Sequence, residues 1–122
     1  MYERLTSSDD TLAVRLGETL TAAEIDELYA EAALALEGRD RLNYFVDATL
    51  WSHLAPDVAL HALKQRLLHL GWYNRFRRVA VVTDSPALKA MVTAMDWVTP
   101  VMDVQAFAPA ESEDALRWCQ DG

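Results

Sequence analysis

Arg77-Arg78-Val79-Ala80-Val81-Val82-Thr83-Asp84 is the stretch that decides the fold. Its four apolar residues run without alternation, with two bases before them and a Thr-Asp pair behind. A strand packed on one side alternates apolar with polar residues, whereas a short continuous run suits a strand covered by helices on both faces. The segment is therefore read as the central strand of a helix-covered sheet. Asp84 lies just beyond its carboxyl end, where ligands collect in open α/β sheets.

Toward the C-terminus, Ser85 and Pro86 open a helix with Leu88, Met91, Val92 and Met95 on one face, and Pro100 stops it. Residues 101–107 read as a last strand near an edge. Asp103 and Gln105 lie on the side of Phe107, and Val104 and Ala106 on the other. Residues 111–120 form a closing helix with acids in its first turn, which the helix dipole favours, and with Ala115, Leu116, Trp118 and Cys119 available for packing.

Toward the N-terminus, Pro56 opens a helix whose expected core stripe is Leu60, Leu63, Leu67 and Leu70, ending at Gly71. Residues 42–46 read as a short buried strand running into Asp47. Before it, Thr21 and Glu24 have the spacing of a capping box, in which each side chain satisfies a backbone N–H of the other residue. Ile25, Leu28, Tyr29, Ala32 and Leu36 then share one helical face, Glu24, Asp26, Glu27, Glu31 and Glu37 form the wet side, and Gly38 ends the helix. Residues 2–7 and 11–16 are two strands joined over Ser8-Asp9-Asp10. The order is ββαβαβαβα, which predicts an α/β domain spanning residues 1–122, with a mostly parallel, mixed five-stranded sheet covered by helices.

Composition narrows the function. With 122 residues and 52% hydrophobic content the chain suits one small core. No apolar run approaches the roughly 18 to 20 residues of a membrane span, and Met1-Tyr2-Glu3-Arg4 carries an acid and leads into no targeting-type apolar stretch. Cys119 is the sole cysteine, so no internal disulfide forms and no Cys partner exists for a zinc site. A reducing cytoplasm is the expected location. A net charge of -8 repels a phosphate backbone, and nucleic acid is not an expected partner. Lys64, Arg66, Arg75, Arg77, Arg78 and Lys89 form a basic island within that acidic chain. It either balances neighbouring acidic helices or docks an acidic partner or anionic lipid head group.

Gly17, Gly38, Gly71 and Gly122 are isolated, so no glycine-rich phosphate cradle exists and no ATP or dinucleotide cofactor is expected. His53, His61 and His69 are eight residues apart; on a helix that leaves His61 and His69 about 80° out of line, a poor arrangement for one metal ion. No metal is assigned.

The segment from Arg77 to Asp84, the strand Pro100-Val101-Met102-Asp103-Val104-Gln105-Ala106-Phe107 and the closing Glu113-Asp114-Ala115-Leu116-Arg117-Trp118 together resemble the SpoIIAA-like family. Gly17-Glu18-Thr19-Leu20-Thr21 before the first helix fits the same pattern. The resemblance covers essentially the whole chain and rests mainly on structural positions. It implies a STAS-like domain with strand order 1-3-2-4-5. That group includes antagonists of anti-sigma factors and modules attached to anion transporters, and its fold is related to CRAL-TRIO lipid-transfer domains. The role it implies is non-enzymatic. Phosphoswitched members carry an Asp-Ser-Ser-Gly-like motif after the third strand. Here Asp47-Ala48-Thr49-Leu50-Trp51-Ser52-His53 keeps the Asp and lacks the paired serines and the glycine. Thr49 and Ser52 are the candidate phosphosites, with helix entry as their ordinary alternative.

Asp47 and Asp84 both follow strands and are expected at one edge of the sheet. Such rim carboxylates suit cation binding or acid-base work, but no nucleophile, general base or third ligand accompanies them, and no catalytic residue is assigned. Capping of the following turn is the expected role of Asp84. The aromatic set is larger than one small core needs: Trp51, Trp72, Tyr73, Phe76, Trp97 and Trp118, with soft Met91, Met95 and Met102 nearby. Trp51, Trp72 and Tyr73 lie in or beside segments of poor helical periodicity. Trp51, His53, Trp72, Tyr73 and Trp97 are accordingly taken as a ligand or partner surface. The expected protein is a STAS-like binding or regulatory module, a homodimer that recognises a protein partner or a small apolar, lipid-like ligand. A phosphorylated anti-sigma antagonist is the alternative, and an enzyme using Asp47 and Asp84 is the third class.

Overall fold

The computed structural model describes residues 2–5, 8–39, 41–51, 57–58, 60–61, 64–65, 75–86, 88–90, 92–93 and 103–121. Five strands make one sheet: β1 (Tyr2–Arg4), β2 (Thr11–Leu16), β3 (Leu42–Asp47), β4 (Phe76–Val82) and β5 (Asp103–Phe107). β1 pairs antiparallel with β2, and every other neighbouring pair is parallel. The strand order is β1-β2-β3-β4-β5.

This corrects the expected order 1-3-2-4-5. The link from β1 to β2 is too short to leap over another strand, so the two pair directly: Leu5 N–H donates to the Ala13 carbonyl, and Thr11 N–H turns back onto Ser8. With one edge of β2 occupied, β3 adds to the other. The Val79 to Val82 run is interior, as expected, but β3 rather than β4 occupies the middle of the sheet.

α1 (Ala22–Leu36) begins at the anticipated capping box. Thr21 Oγ1 accepts from Glu24 N–H at 3.2 Å while the Glu24 carboxylate accepts from Thr21 N–H at 3.2 Å. Ile25, Ala32 and Leu36 are its buried residues. Gly38 follows with φ +75°, the left-handed conformation that glycine adopts without a Cβ penalty. No basic residue of α1 stands in its last turn. Arg75 supplies the charge instead, its Nη2 donating to the Leu36 carbonyl at 2.8 Å and to the Arg39 carbonyl.

The period-two alternation of the strands sends side chains to two distinct cores. On one face Leu12, Leu42 and Val104 pack with Ala32 and Leu36 of α1 and with Val92, while Val14 and Leu16 pack with Leu28 and Leu88. On the other, Ala13, Phe45, Ala80 and Val82 pack with Ala115 and Cys119 of the C-terminal helix, Ser112–Gln120. β4 thus faces helices on both sides, which is why its sequence does not alternate. It also starts three residues before Val79. A bulge opposite Asn43, between the pairs Leu42 with Phe76 and Tyr44 with Val79, absorbs Arg77 and Arg78 into the strand. Arg78 then closes the far end of the C-terminal helix: its Nη1 donates to the Trp118 carbonyl at 2.6 Å and its guanidinium lies 4.8 Å from the centre of the Trp118 ring.

Described residues between 57 and 65, and between 86 and 93, are helical. The expected core position of Leu60 is corrected, since its side chain is 69% exposed while Val58 is buried. His61 Nε2 lies 2.7 Å from Asp26 Oδ1 of α1, and Gln65 Nε2 donates to the same oxygen at 3.1 Å. That polar contact turns the His61 side of the segment toward α1 and Leu60 toward solvent.

Candidate functional site

A row of charge crosses the sheet where β2 and β3 end. Register sets Glu3 beside Arg15 and Arg15 beside Asp47, on the face that carries the C-terminal helix. Arg15 Nη1 donates to Glu3 Oε1 at 2.9 Å and its Nε donates to Asp47 Oδ2 at 3.2 Å. The Asp47 side chain is only 10% exposed, against 43% for Arg15. Its other oxygen, Oδ1, accepts from Thr49 N–H at 3.0 Å. Burial pushes the Asp47 carboxyl upward, but hydrogen bonds from Thr49 and Arg15 outweigh it and hold the group below its ordinary 3.8. The hydrogen bond from Arg15 to Asp47 in turn raises the guanidinium further.

These contacts define what the rim carboxylates do. Asp47 and Asp84 do share one edge of the sheet, since Asp47 is in register with Val82 and Asp84 follows two residues later. Asp47 is committed to Arg15 and to the turn at Thr49. Asp84 is exposed. The capping expected of Asp84 is performed by its neighbours: Thr83 Oγ1 accepts from Ser85 N–H at 3.1 Å, and Ser85 Oγ accepts from Leu88 N–H at 3.3 Å. Thr49 also bonds Asp47 through its side chain, so a phosphate placed there would face a carboxylate. Among the described residues no three His, Cys, Asp or Glu side chains converge as a metal site.

On the opposite face of the same rim, Trp51 packs against Val14, Leu16 and Ala48 together with Leu20, Leu28 and Leu88. Its backbone N–H turns back to the Ala48 carbonyl at 3.2 Å. Its indole Nε1 is buried without a hydrogen-bond partner among the described residues. The preceding Leu50 is 55% exposed. An apolar wall with one unused donor is thus built at the carboxyl edge. Ser52, His53, Trp72, Tyr73 and Trp97 lie outside the described residues.

Other polar groups of the interior have different fates. Burial and the nearby Glu31 carboxylate raise the Tyr44 hydroxyl. Burial pushes the Cys119 thiol up to about 12, so at neutral pH it remains protonated and unreactive. Trp118 meets Phe107 with ring centres 5.6 Å apart and serves as packing.

The Glu3, Arg15 and Asp47 row escaped the reading of the sequence. Its available signal was Arg15 itself, a charge within the otherwise apolar run from Leu12 to Leu16. The unpartnered Trp51 donor left no signal in the sequence, because it depends on what surrounds the ring.

A mixed, largely parallel sheet with helices on both faces and polar groups gathered at its carboxyl rim defines a layered α/β domain of the STAS type. The chain belongs to the SpoIIAA-like family, whose model matches residues 11–120. It is similar to a solved structure of an uncharacterized protein of the DUF3478 family with a SpoIIAA-like fold, from Shewanella loihica PV-4. The two share 25% identity and a TM-score of 0.72 over 98% of this chain and 92% of that one. No curated protein matches the chain significantly. Among the described residues no helix is long and apolar enough to cross a membrane.

Proposed function

We propose that the protein is a non-enzymatic binding and regulatory module that receives a small apolar ligand or the apolar side chain of a protein partner at Trp51. The observation that carries this reading is the buried indole N–H, without a partner among the described residues, on a ring packed against Val14, Leu16 and Ala48. A buried polar group without a partner costs about 1–3 kcal/mol, and an occupant bringing one acceptor oxygen on an apolar body would relieve it. The commitment of Asp47 to Arg15 and Thr49, and the protonated Cys119 thiol, favour binding over catalysis. Exposed Leu50 next to the site suits a surface that a second copy covers, and a homodimer is part of the reading. The lone, buried Cys119 agrees with a cytoplasmic home.

Native mass spectrometry of the purified chain, with melting measured with and without dodecanoate, tests it. Carried-over ligand or a dimer is expected, with a rise in Tm that Trp51→Phe reduces, because phenylalanine keeps an aromatic ring and lacks the N–H. A bare monomer whose melting dodecanoate leaves unmoved overturns both the ligand and the dimer.

A further inference from the structure

The opposite end of the sheet, where β2 and β3 begin, holds a cleft of about 480 Å³ between the β1-β2 hairpin and the end of α1. Leu42, 1% exposed, and Ala35 give it an apolar floor. The hairpin bank carries Arg4 and Asp9, and the helix bank carries Glu37 and Arg39. Each bank therefore presents one cation and one anion. None of these four side chains makes a hydrogen bond or ion pair among the described residues, with one another or elsewhere, although nearby Asp10 and Arg75 are both engaged.

We propose that this cleft is a binding site for a small zwitterion of dipeptide size. A ligand of one charge would meet as much repulsion as attraction from a cleft with two guanidinium and two carboxylate groups. A molecule with an ammonium at one end and a carboxylate at the other can bond both kinds at once, in charge-assisted hydrogen bonds stronger than neutral ones. The volume lies within the range of about 300–1,000 Å³ typical of small-molecule sites. The charged banks separate it in chemistry from the apolar wall at Trp51. Their position at the starts of β2 and β3, rather than at the ends, separates it in space, so it stands or falls independently of the rim.

Backbone amide NMR of the full chain tests the site, with glycylglycine as probe and N-acetylglycine and glycinamide as the anion-only and cation-only controls. Glycylglycine is expected to shift the amides of Asp9, Thr11, Glu37 and Arg39 saturably, with an affinity at least about tenfold above either control. Arg39→Gln and Glu37→Gln, both at exposed positions, are expected each to weaken it by about tenfold or more while leaving the remaining spectrum in place. Absent shifts, equal shifts from the singly charged controls, or unchanged affinity in both variants overturn the proposal.

Discussion

Asp47→Asn isolates the charge at the centre of the rim. The wild-type carboxylate accepts from Thr49 N–H at 3.0 Å and from Arg15 Nε at 3.2 Å, and its side chain is 10% exposed. Asparagine keeps an acceptor for Thr49 and loses the ionic half of the bond to Arg15. A hydrogen bond to a charged group contributes about 1.5–3 kcal/mol. Arg15 is nearly half exposed and retains Glu3, so solvent screening reduces that figure, and a loss of about 1–2 kcal/mol is expected at pH 7. In a domain of this size that lowers Tm by about 4–8 °C. The pH dependence supplies the sharper test. The folded carboxyl is held below its ordinary 3.8, so its contribution is fully present above that value and is lost as pH falls through the lower, folded value. Urea titrations of both proteins from pH 7 downward should therefore show a stability gap that is constant to about pH 5 and closes under more acid conditions. A gap that persists undiminished once the wild-type carboxyl is protonated, or no gap at pH 7, refutes the assignment of Asp47 as an ion-paired structural group.

Gly38→Ala should cost about 1–2 kcal/mol in urea unfolding, because φ is +75° and an added Cβ meets nothing within 4 Å, so the penalty is conformational alone; Gly38→Asn should recover part of it, and an alanine variant as stable as wild type would contradict the left-handed turn. Arg78→Leu removes both the bond to the Trp118 carbonyl and the cation over its ring, and about 1–3 kcal/mol of stability with it. A near-ultraviolet circular dichroism change at tryptophan wavelengths should accompany the loss, whereas an unchanged spectrum and midpoint would show the C-terminal helix to be held by apolar packing alone. Cys119, with its thiol pushed up to about 12, should resist Ellman's reagent at pH 8 until urea unfolds the chain. Immediate stoichiometric labelling of the native protein would place that thiol at the surface.

Periodicity and capping chemistry are local, and what they control could be read directly. The box at Thr21 and Glu24, the helix start at Ser85 and Pro86, and the non-alternating run at Val79 to Val82 all stand where those residues predict. Strand order is a pairing choice between distant segments, and the direct pairing of β1 with β2 overrides the order that the family resemblance implies. The bulge at Arg77 and Arg78 was hidden because two adjacent arginines look like a boundary; each is tolerated in the strand because Arg77 reaches solvent and Arg78 reaches Trp118. Leu60 was misplaced because the leucine stripe competes with the bonds of His61 and Gln65 to Asp26, and the polar contact decides the rotation. Asp47 ends β3, and its chemistry depends on Arg15, a residue 32 positions earlier in the chain.

The one-directional strand order explains why the two ends of the sheet differ. Each parallel crossover steps to the next free edge, and right-handed crossovers that all step the same way place their helices on one face. α1 and the residues around Leu88 and Val92 occupy that face, and among the described residues the C-terminal helix is the one helix that packs on the other. The margin of that second face, where Arg15 is 43% exposed, is where Glu3, Arg15 and Asp47 can remain charged, whereas the first face is where the Trp51 indole is buried without a partner among the described residues. Polarity and apolar burial at the same carboxyl edge thus follow from which face each strand end presents, and the ligand proposed at Trp51 would meet hydrocarbon on its side of the sheet while the ion pairs stay on the other.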